Sequence, residues 1–210
     1  MSDVFAMIAV ERRRTADLLD GLSDDQWNTP SLCNGWRVRE VVAHLSMPFT
    51  VSIPRLAIKI IAARGSFDTV ADRFARADAR SNAELVAILR SNAEDRFTPP
   101  GFGPEAPLTD IVVHSQDICE PLGIVRAIDD EPAAVILDML ASPKASRGFV
   151  RKDLLDGLRL TATDTGWTHG EGAEVSGTAA SLIMTISGRR VAEDQLSGGG
   201  AAMLRSRLSA

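Results

Sequence analysis

Apolar residues recur through the first two-thirds of the chain at the spacing of one helix face. Val4, Ile8, Leu18, Leu19 and Leu22 predict a helix over 4–22, and Gly21 with the following "SDDQW" marks its end and a new start. "SLCNGW" reads as a loop. Val38, Val41, Val42 and Leu45 then follow the i, i+3, i+4, i+7 pattern of a buried stripe, and Pro48 or Pro54 is expected to interrupt or end that helix. A further helical piece is expected at 55–63 and helices at 68–79 and 82–94, the last opened by Ser81 or Asn82. "TPPGFGPEAP", dense in Pro and Gly, is a loop. Pro107 fits the first turn of the next helix, which runs over 108–119 until "PLGI" ends it. Another short helix is expected at 131–142.

After about residue 145 the period changes. "GLRLTATD" alternates, with Leu158, Leu160 and Ala162 on one side, which predicts a strand over about 158–163. "TGWTHGEGAEVSG" is turn-rich, with a short strand at its end. "TAASLIMTIS" returns to helix, with Gly188 as a C-terminal cap. The Gly-rich tail is expected to be loose until its last apolar residues. The expected class is therefore mainly α: a helical bundle over 1–145, followed by a small α/β domain over 146–210.

The totals narrow the functional classes. With 210 residues and 45% hydrophobic residues, the chain can bury a sizeable core. A net charge of -5 with no Lys/Arg block offers no field for nucleic acid. No apolar run approaches the roughly 20 residues a membrane span needs. The opening "MSDVFAMIAVERRR" has its charges after the apolar stretch, the wrong order for a secretory signal. The expectation is a cytoplasmic protein without nucleic-acid or membrane partners. Cys33 and Cys119 read as reduced core thiols, too few for a disulfide framework.

Two of the three histidines sit inside the most core-like runs, "VVAHLSMP" and "LTDIVVHSQD". His44 follows Val41 by three and Val38 by six, and His114 follows Ile111 by three, so both point into the bundle. A buried neutral imidazole needs polar partners, and a plain core histidine bonded to another side chain is one way to supply them. Asp110 suggests another. It precedes His114 by four residues, so the two side chains leave the helix about 40° apart and can reach one point. His44, Asp110 and His114 then make a two-His, one-carboxylate set suited to zinc or another divalent metal, with positions left open. Asp117, three residues after His114, is the competing carboxylate: it replaces Asp110 as ligand or orients His114 from behind. Asp110 could also be a carboxylate favoured by the helix dipole. His169, among Gly and Thr, reads as a solvated loop residue.

"LSDDQWNTPSLCNGWRVREVVAHL" and "DIVVHSQDICEPLGI" resemble the two histidine motifs of the mycothiol-dependent maleylpyruvate isomerase family, within the DinB-like superfamily. "GLRLTATDTGW" and "GTAASLIMTISGR" resemble that family's carboxy-terminal domain. The resemblance implies a DinB-like four-helix bundle followed by a small α/β domain. It implies a divalent metal, usually zinc, on His44, Asp110 and His114, and mycothiol or a similar low-molecular-weight thiol as the second cofactor. Metal coordination would hold the sulfur as a thiolate for attack on a small electrophile. Arg189 matches a family arginine that helps bind an acidic substrate, although two arginines at a helix end are also favoured by the dipole alone.

The chain departs from the family pattern at three places. Arg37 replaces the usual Thr of the capping box while Glu40 remains. Residue 110 is Asp and not the longer Glu. Cys119 and Glu120 stand where many relatives carry basic residues, which turns the expectation away from a dianionic substrate.

The functional expectation is an enzyme, a metal- and thiol-dependent S-transferase or isomerase working as a monomer or homodimer. The alternative is a non-catalytic metal-binding or stress-related bundle. A closed structural site would need a fourth ligand, and neither Cys33 nor Cys119 is helically spaced to join easily.

Overall fold

The computed structural model describes residues 3–209. Helix α1 (Val4–Asp20) is opened by Asp3, whose carboxylate accepts from the Phe5 N–H at 3.0 Å. This satisfies one of the donors that every helix start leaves unpaired. Helix α2 (Asp24–Trp27) is opened by Ser23 in a full capping box with Gln26. Helix α3 (Val38–Thr50) keeps half of its box: the Glu40 carboxylate accepts from the Arg37 backbone N–H at 2.9 Å and from its Nε at 3.0 Å. Arg37 also forms an ion pair with Glu40, but a guanidinium has no acceptor, so Arg37 gives the helix start no side-chain cap.

Pro48 does not end α3, which runs two residues further. A proline there has no N–H to give the His44 carbonyl one turn back, so the turn that carries His44 lacks one internal bond. Helix α4 (Ile53–Ala62) has Pro54 in its first turn, where a missing N–H costs nothing. It has no buried residue, and Ile53, Ile58 and Ile61 are exposed. Helices α5 (Phe67–Ala77), α6 (Asn82–Ser91) and α7 (Glu105–Cys119) follow. Ser81 caps α6 with Glu84, and the helix stops three residues short of the expected end.

The bundle is formed by α1, α3, α6 and the main part of α7, with α5 against α3. Ile8, Leu19, Val41, Val42, Leu85, Leu89, Ile111 and Ile118 fill it. These are the positions of the helical stripes. Between α1 and α7, a hydrogen bond joins Thr15 Oγ1 and Ser115 Oγ across the core at 2.8 Å. Arg126 backs it, donating to Thr15 Oγ1 at 3.2 Å and pairing with the Glu11 carboxylate.

The chain falls into two compact units that interleave in sequence: residues 1–97 with 110–126, and residues 98–109 with 127–210. The expected single cut at residue 145 differs from this grouping. Helix α8 (Asp130–Ala141), placed by the sequence in the first domain, packs on α9 (Ala179–Ile186) of the second. Its apolar residues Ile136, Leu137 and Leu140 are buried there.

In the second unit β1 (Leu158–Ala162) is the central strand of the order β2-β1-β3. It pairs antiparallel with β2 (Thr168–His169) and parallel with β3 (Ala173–Gly177). Leu158, Leu160 and Ala162 are buried, as their alternation predicts. His169 lies on the short edge strand, exposed and stacked on Trp167, and not in a loop. Helix α9 ends in a paired-bond cap: Gly188 N–H donates to the Thr185 carbonyl and Arg189 N–H to that of Met184. Gly188 has φ 87°, as such a cap requires.

The tail is not loose. Ser197 exchanges backbone bonds with Ser176, and Gly200 N–H donates to the Glu174 carbonyl at 2.7 Å. A Cβ on Gly198 or Gly200 would stand 2.3 or 2.6 Å from carbonyl oxygens of β3. The glycines let the tail approach that strand before α10 (Ala201–Ser209) begins.

Candidate metal centre

The two core histidines meet in the first unit. His44 comes from the middle of α3 and His114 from α7, and their ring centroids are 5.0 Å apart at 77°. Asp110 lies one turn before His114. Its Oδ1 is 3.6 Å from His44 Nε2 and 3.5 Å from His114 Nε2. Ligand atoms of His44, Asp110 and His114 all lie within 4.8 Å of one another.

Such spacing suits a small cation. Donors bound to zinc at about 2.0–2.1 Å and near-tetrahedral angles stand about 3.4 Å apart. The two imidazoles are mostly buried at 11% and 14% side-chain exposure, whereas Asp110, at 35%, leaves one side of the set open to solvent. His44 Nδ1 is buried with no hydrogen-bond partner among the described residues. An orphaned polar atom costs stability, and the fold carries that cost to keep an imidazole on a core face.

Asp117 stands on the other side of the His114 ring. Its Oδ2 is 2.8 Å from His114 Nδ1, and its side chain is fully buried at 0% exposure. The two carboxylates that the sequence left as alternatives therefore face opposite nitrogens of one ring. Burial works against charge on His114, but the bonds with Asp117 and Cys33 and the Asp110 carboxylate prevail, and its pKa is pushed up to about 10.

The loop before α3 supplies what the sequence reading missed. Cys33 Sγ lies 3.0 Å from Asp117 Oδ2 and 3.5 Å from His114 Nδ1, so this thiol is not a plain core thiol. Trp36, three residues on, places its ring 5.4 Å from that of His44 and donates its indole N–H to Asp72 Oδ1 at 2.8 Å. Phe67 adds a second aromatic wall 6.4 Å from His44. The loop "SLCNGW" has no apolar period, so its sequence carries no signal of these contacts. Cys119, by contrast, is fully buried and its thiol pKa is raised, chiefly by burial.

Arg189 lies in the second unit, half-buried at the end of α9, where its Nη1 donates to the Ser187 carbonyl at 2.6 Å.

Comparison with known proteins bears on the first unit most directly. Residues 8–96 match the family model described as the mycothiol maleylpyruvate isomerase N-terminal domain. Over these residues the chain is similar to that family. The match contains α3 and His44. Two solved structures are similar over nearly the whole length. One is a histidine-to-alanine mutant of mycothiol-dependent maleylpyruvate isomerase, 15% identical with a TM-score of 0.53. The other is mycothiol-dependent maleylpyruvate isomerase itself, 14% identical with a TM-score of 0.50. Each alignment covers 94% of this chain and 92% of the other. At such identity the likeness establishes architecture alone: this chain shares the fold of those structures, mainly helical with a small three-stranded sheet. A comparison with curated proteins finds no match.

Proposed function

We propose that this protein is a divalent-metal-dependent, low-molecular-weight-thiol-dependent transferase or isomerase acting on a small electrophile. The observation that supports it most is the facing of two imidazole Nε2 atoms, from His44 and His114, onto the single Asp110 carboxylate oxygen. The similarity of residues 8–96 to the mycothiol maleylpyruvate isomerase N-terminal domain supports the thiol, mycothiol or a close chemical relative. Zinc fits the donor set of His44, Asp110 and His114 best. When bound, it supplies a Lewis acid that keeps a thiol sulfur deprotonated at neutral pH.

The chain's own residues have the other roles. Asp117 holds the His114 ring by its far nitrogen. Trp36 and Phe67 flank His44 with apolar surface, which limits water around the imidazole. Arg189 is assigned to bind an acidic group of the substrate or of the thiol, since a guanidinium can hold both oxygens of a carboxylate. The reaction belongs in the cytoplasm, where small thiols are kept reduced.

The test uses the purified full chain. Stoichiometric zinc is expected in the wild type and its loss in His44→Ala, together with loss of zinc-dependent consumption of mycothiol in the presence of a small electrophile. Zinc retained by His44→Ala would reject the ligand set. Zinc bound without any thiol chemistry across an electrophile panel would favour the non-catalytic reading.

A further inference from the structure

The surroundings of Cys33 are polar on one side. Its Sγ and the His114 Nδ1 both approach one oxygen, Asp117 Oδ2, at 3.0 and 2.8 Å. Asp117 is fully buried, so its carboxylate depends on protein donors. The loop that carries Cys33 is fastened at the same place. Leu32 N–H donates to the Asp117 carbonyl at 3.1 Å, and Trp36 N–H to the Cys33 carbonyl at 3.0 Å. Cys33 N–H donates to Ser31 Oγ at 3.1 Å. Gly35, at φ 73°, closes the turn in a conformation that other residues rarely adopt.

Cys33, His114 and Asp117 could be read as a second cation seat, since their donor atoms cluster. The spacing argues against it. Nitrogen and oxygen ligands of a tetrahedral zinc stand about 3.4 Å apart, and 2.8 Å between His114 Nδ1 and Asp117 Oδ2 is a hydrogen-bond length. A proton occupies that gap. The thiol S–H and the imidazole N–H therefore both donate to one carboxylate oxygen.

We propose that Cys33 is a positioning residue for His114 and acts through Asp117. Its thiol anchors the carboxylate oxygen that holds His114 Nδ1, and this fixes the direction in which the opposite nitrogen, Nε2, faces. The proposal rests on the reading of the Nε2 side as a cation site. Each donor on a carboxylate restricts its rotation about the terminal torsion, and the thiol adds such a grip on the same oxygen that His114 holds. Outer partners of ligating imidazoles are worth about 10–100-fold in metal affinity, and Cys33 stands one bond further out, so about 10-fold is expected.

Zinc alone is the probe, with affinity measured on the full chain by competition with a chromophoric chelator. Cys33→Ala should weaken zinc binding about 10-fold with unchanged circular dichroism, and Cys33→Ser, whose hydroxyl can donate to the same oxygen, should stay within about threefold of wild type. The cobalt-substituted wild type should show no thiolate-to-cobalt charge-transfer band, which separates a positioning thiol from a ligating one, while the loss of affinity at unchanged circular dichroism separates it from a merely structural one. Equal zinc affinity in Cys33→Ala overturns the proposal and leaves the cation site standing. A thiolate band that disappears in Cys33→Ala also overturns it, since the thiol is then a ligand. A wild type that binds no zinc removes the cation site and the proposal together. Should the alanine variant not fold, Cys33→Ser decides alone: a loss well beyond threefold overturns the assignment.

Discussion

His114 Nδ1 lies 2.8 Å from the Oδ2 of Asp117, a fully buried carboxylate one turn further along α7. That bond fixes the ring and directs Nε2 toward Asp110. It also makes His114 a strong base in the metal-free protein, with a pKa of about 10 where burial alone would have lowered it.

The sign of the pH effect follows. The folded pKa of about 10 lies above the ordinary 6.5, so the stabilisation is fully present below 6.5 and is lost as pH rises through 10. In the metal-free protein, unfolding free energy should fall across that window by up to about 1.4 kcal/mol per pH unit. His114→Gln should lack this slope. Chemical denaturation of both proteins from pH 6 to 10 checks it, and identical slopes would reject the assignment.

As a proposed zinc ligand, Asp110 would contribute charge as well as an oxygen. Asp110→Asn keeps the size and removes the charge, so zinc affinity should drop at least about 10-fold with the fold intact. Asp110→Glu restores a carboxylate with longer reach and should bind zinc within about 10-fold of wild type. Chelator competition measures both. Undiminished binding by the asparagine variant would remove Asp110 from the ligand set.

Arg12 holds the end of α6 in place. Its buried Nη1 donates to the carbonyls of Asn92, Ala93 and Asp95 at 3.1, 3.1 and 2.7 Å, and its guanidinium lies 4.9 Å over Phe49. Arg12→Met leaves these acceptors without their donor and should cost about 2–4 kcal/mol. Urea unfolding reads the loss, and an effect under about 0.5 kcal/mol, the range of an ordinary surface change, would contradict it.

The glycine tail offers a contrast within two residues. A Cβ on Gly198, at φ 94°, would stand 2.3 Å from the Glu174 carbonyl oxygen, while one on Gly199 meets nothing within 4 Å. Gly198→Ala should destabilise by about 1–3 kcal/mol and Gly199→Ala by less than about 0.5 kcal/mol. Thermal unfolding of the pair would expose a loose tail by equal, small effects.

Arg189→Ala should leave zinc content unchanged and raise KM for an acidic substrate by about 10-fold or more, the loss of a charged contact of roughly 1.5–3 kcal/mol. An unaltered KM would end the case for an acidic group at that residue.

Helices were legible wherever one face is buried, because a 3.6-residue period is written directly into the order of apolar residues. Val38, Val41, Val42 and Leu45 show this in α3, and the i, i+4 spacing puts Asp110 and His114 on one side of α7. The central strand was equally plain in Leu158, Leu160 and Ala162. Pro48 misled, since a helix held by tertiary packing tolerates one lost bond near its end. The strand β2 was hidden because two exposed residues, Thr168 and His169, show no alternation. The sequence groups α8 with the bundle because an apolar stripe says that a face is buried, not against what; in the structure that face packs on α9.

By itself the sequence determined most of the helices, a strand over about 158–163 and the placement of both histidines on core faces, all consequences of periods within single elements. Only the tertiary structure decided that His44 and His114 face one aspartate oxygen, that Cys33 leans on Asp117, and that Gly198 and Gly200 lie along β3. These are contacts between segments far apart in the chain. A loop such as "SLCNGW" has no period to reveal its neighbours. Where it returns, and which helix it meets, depends on how every intervening element packs.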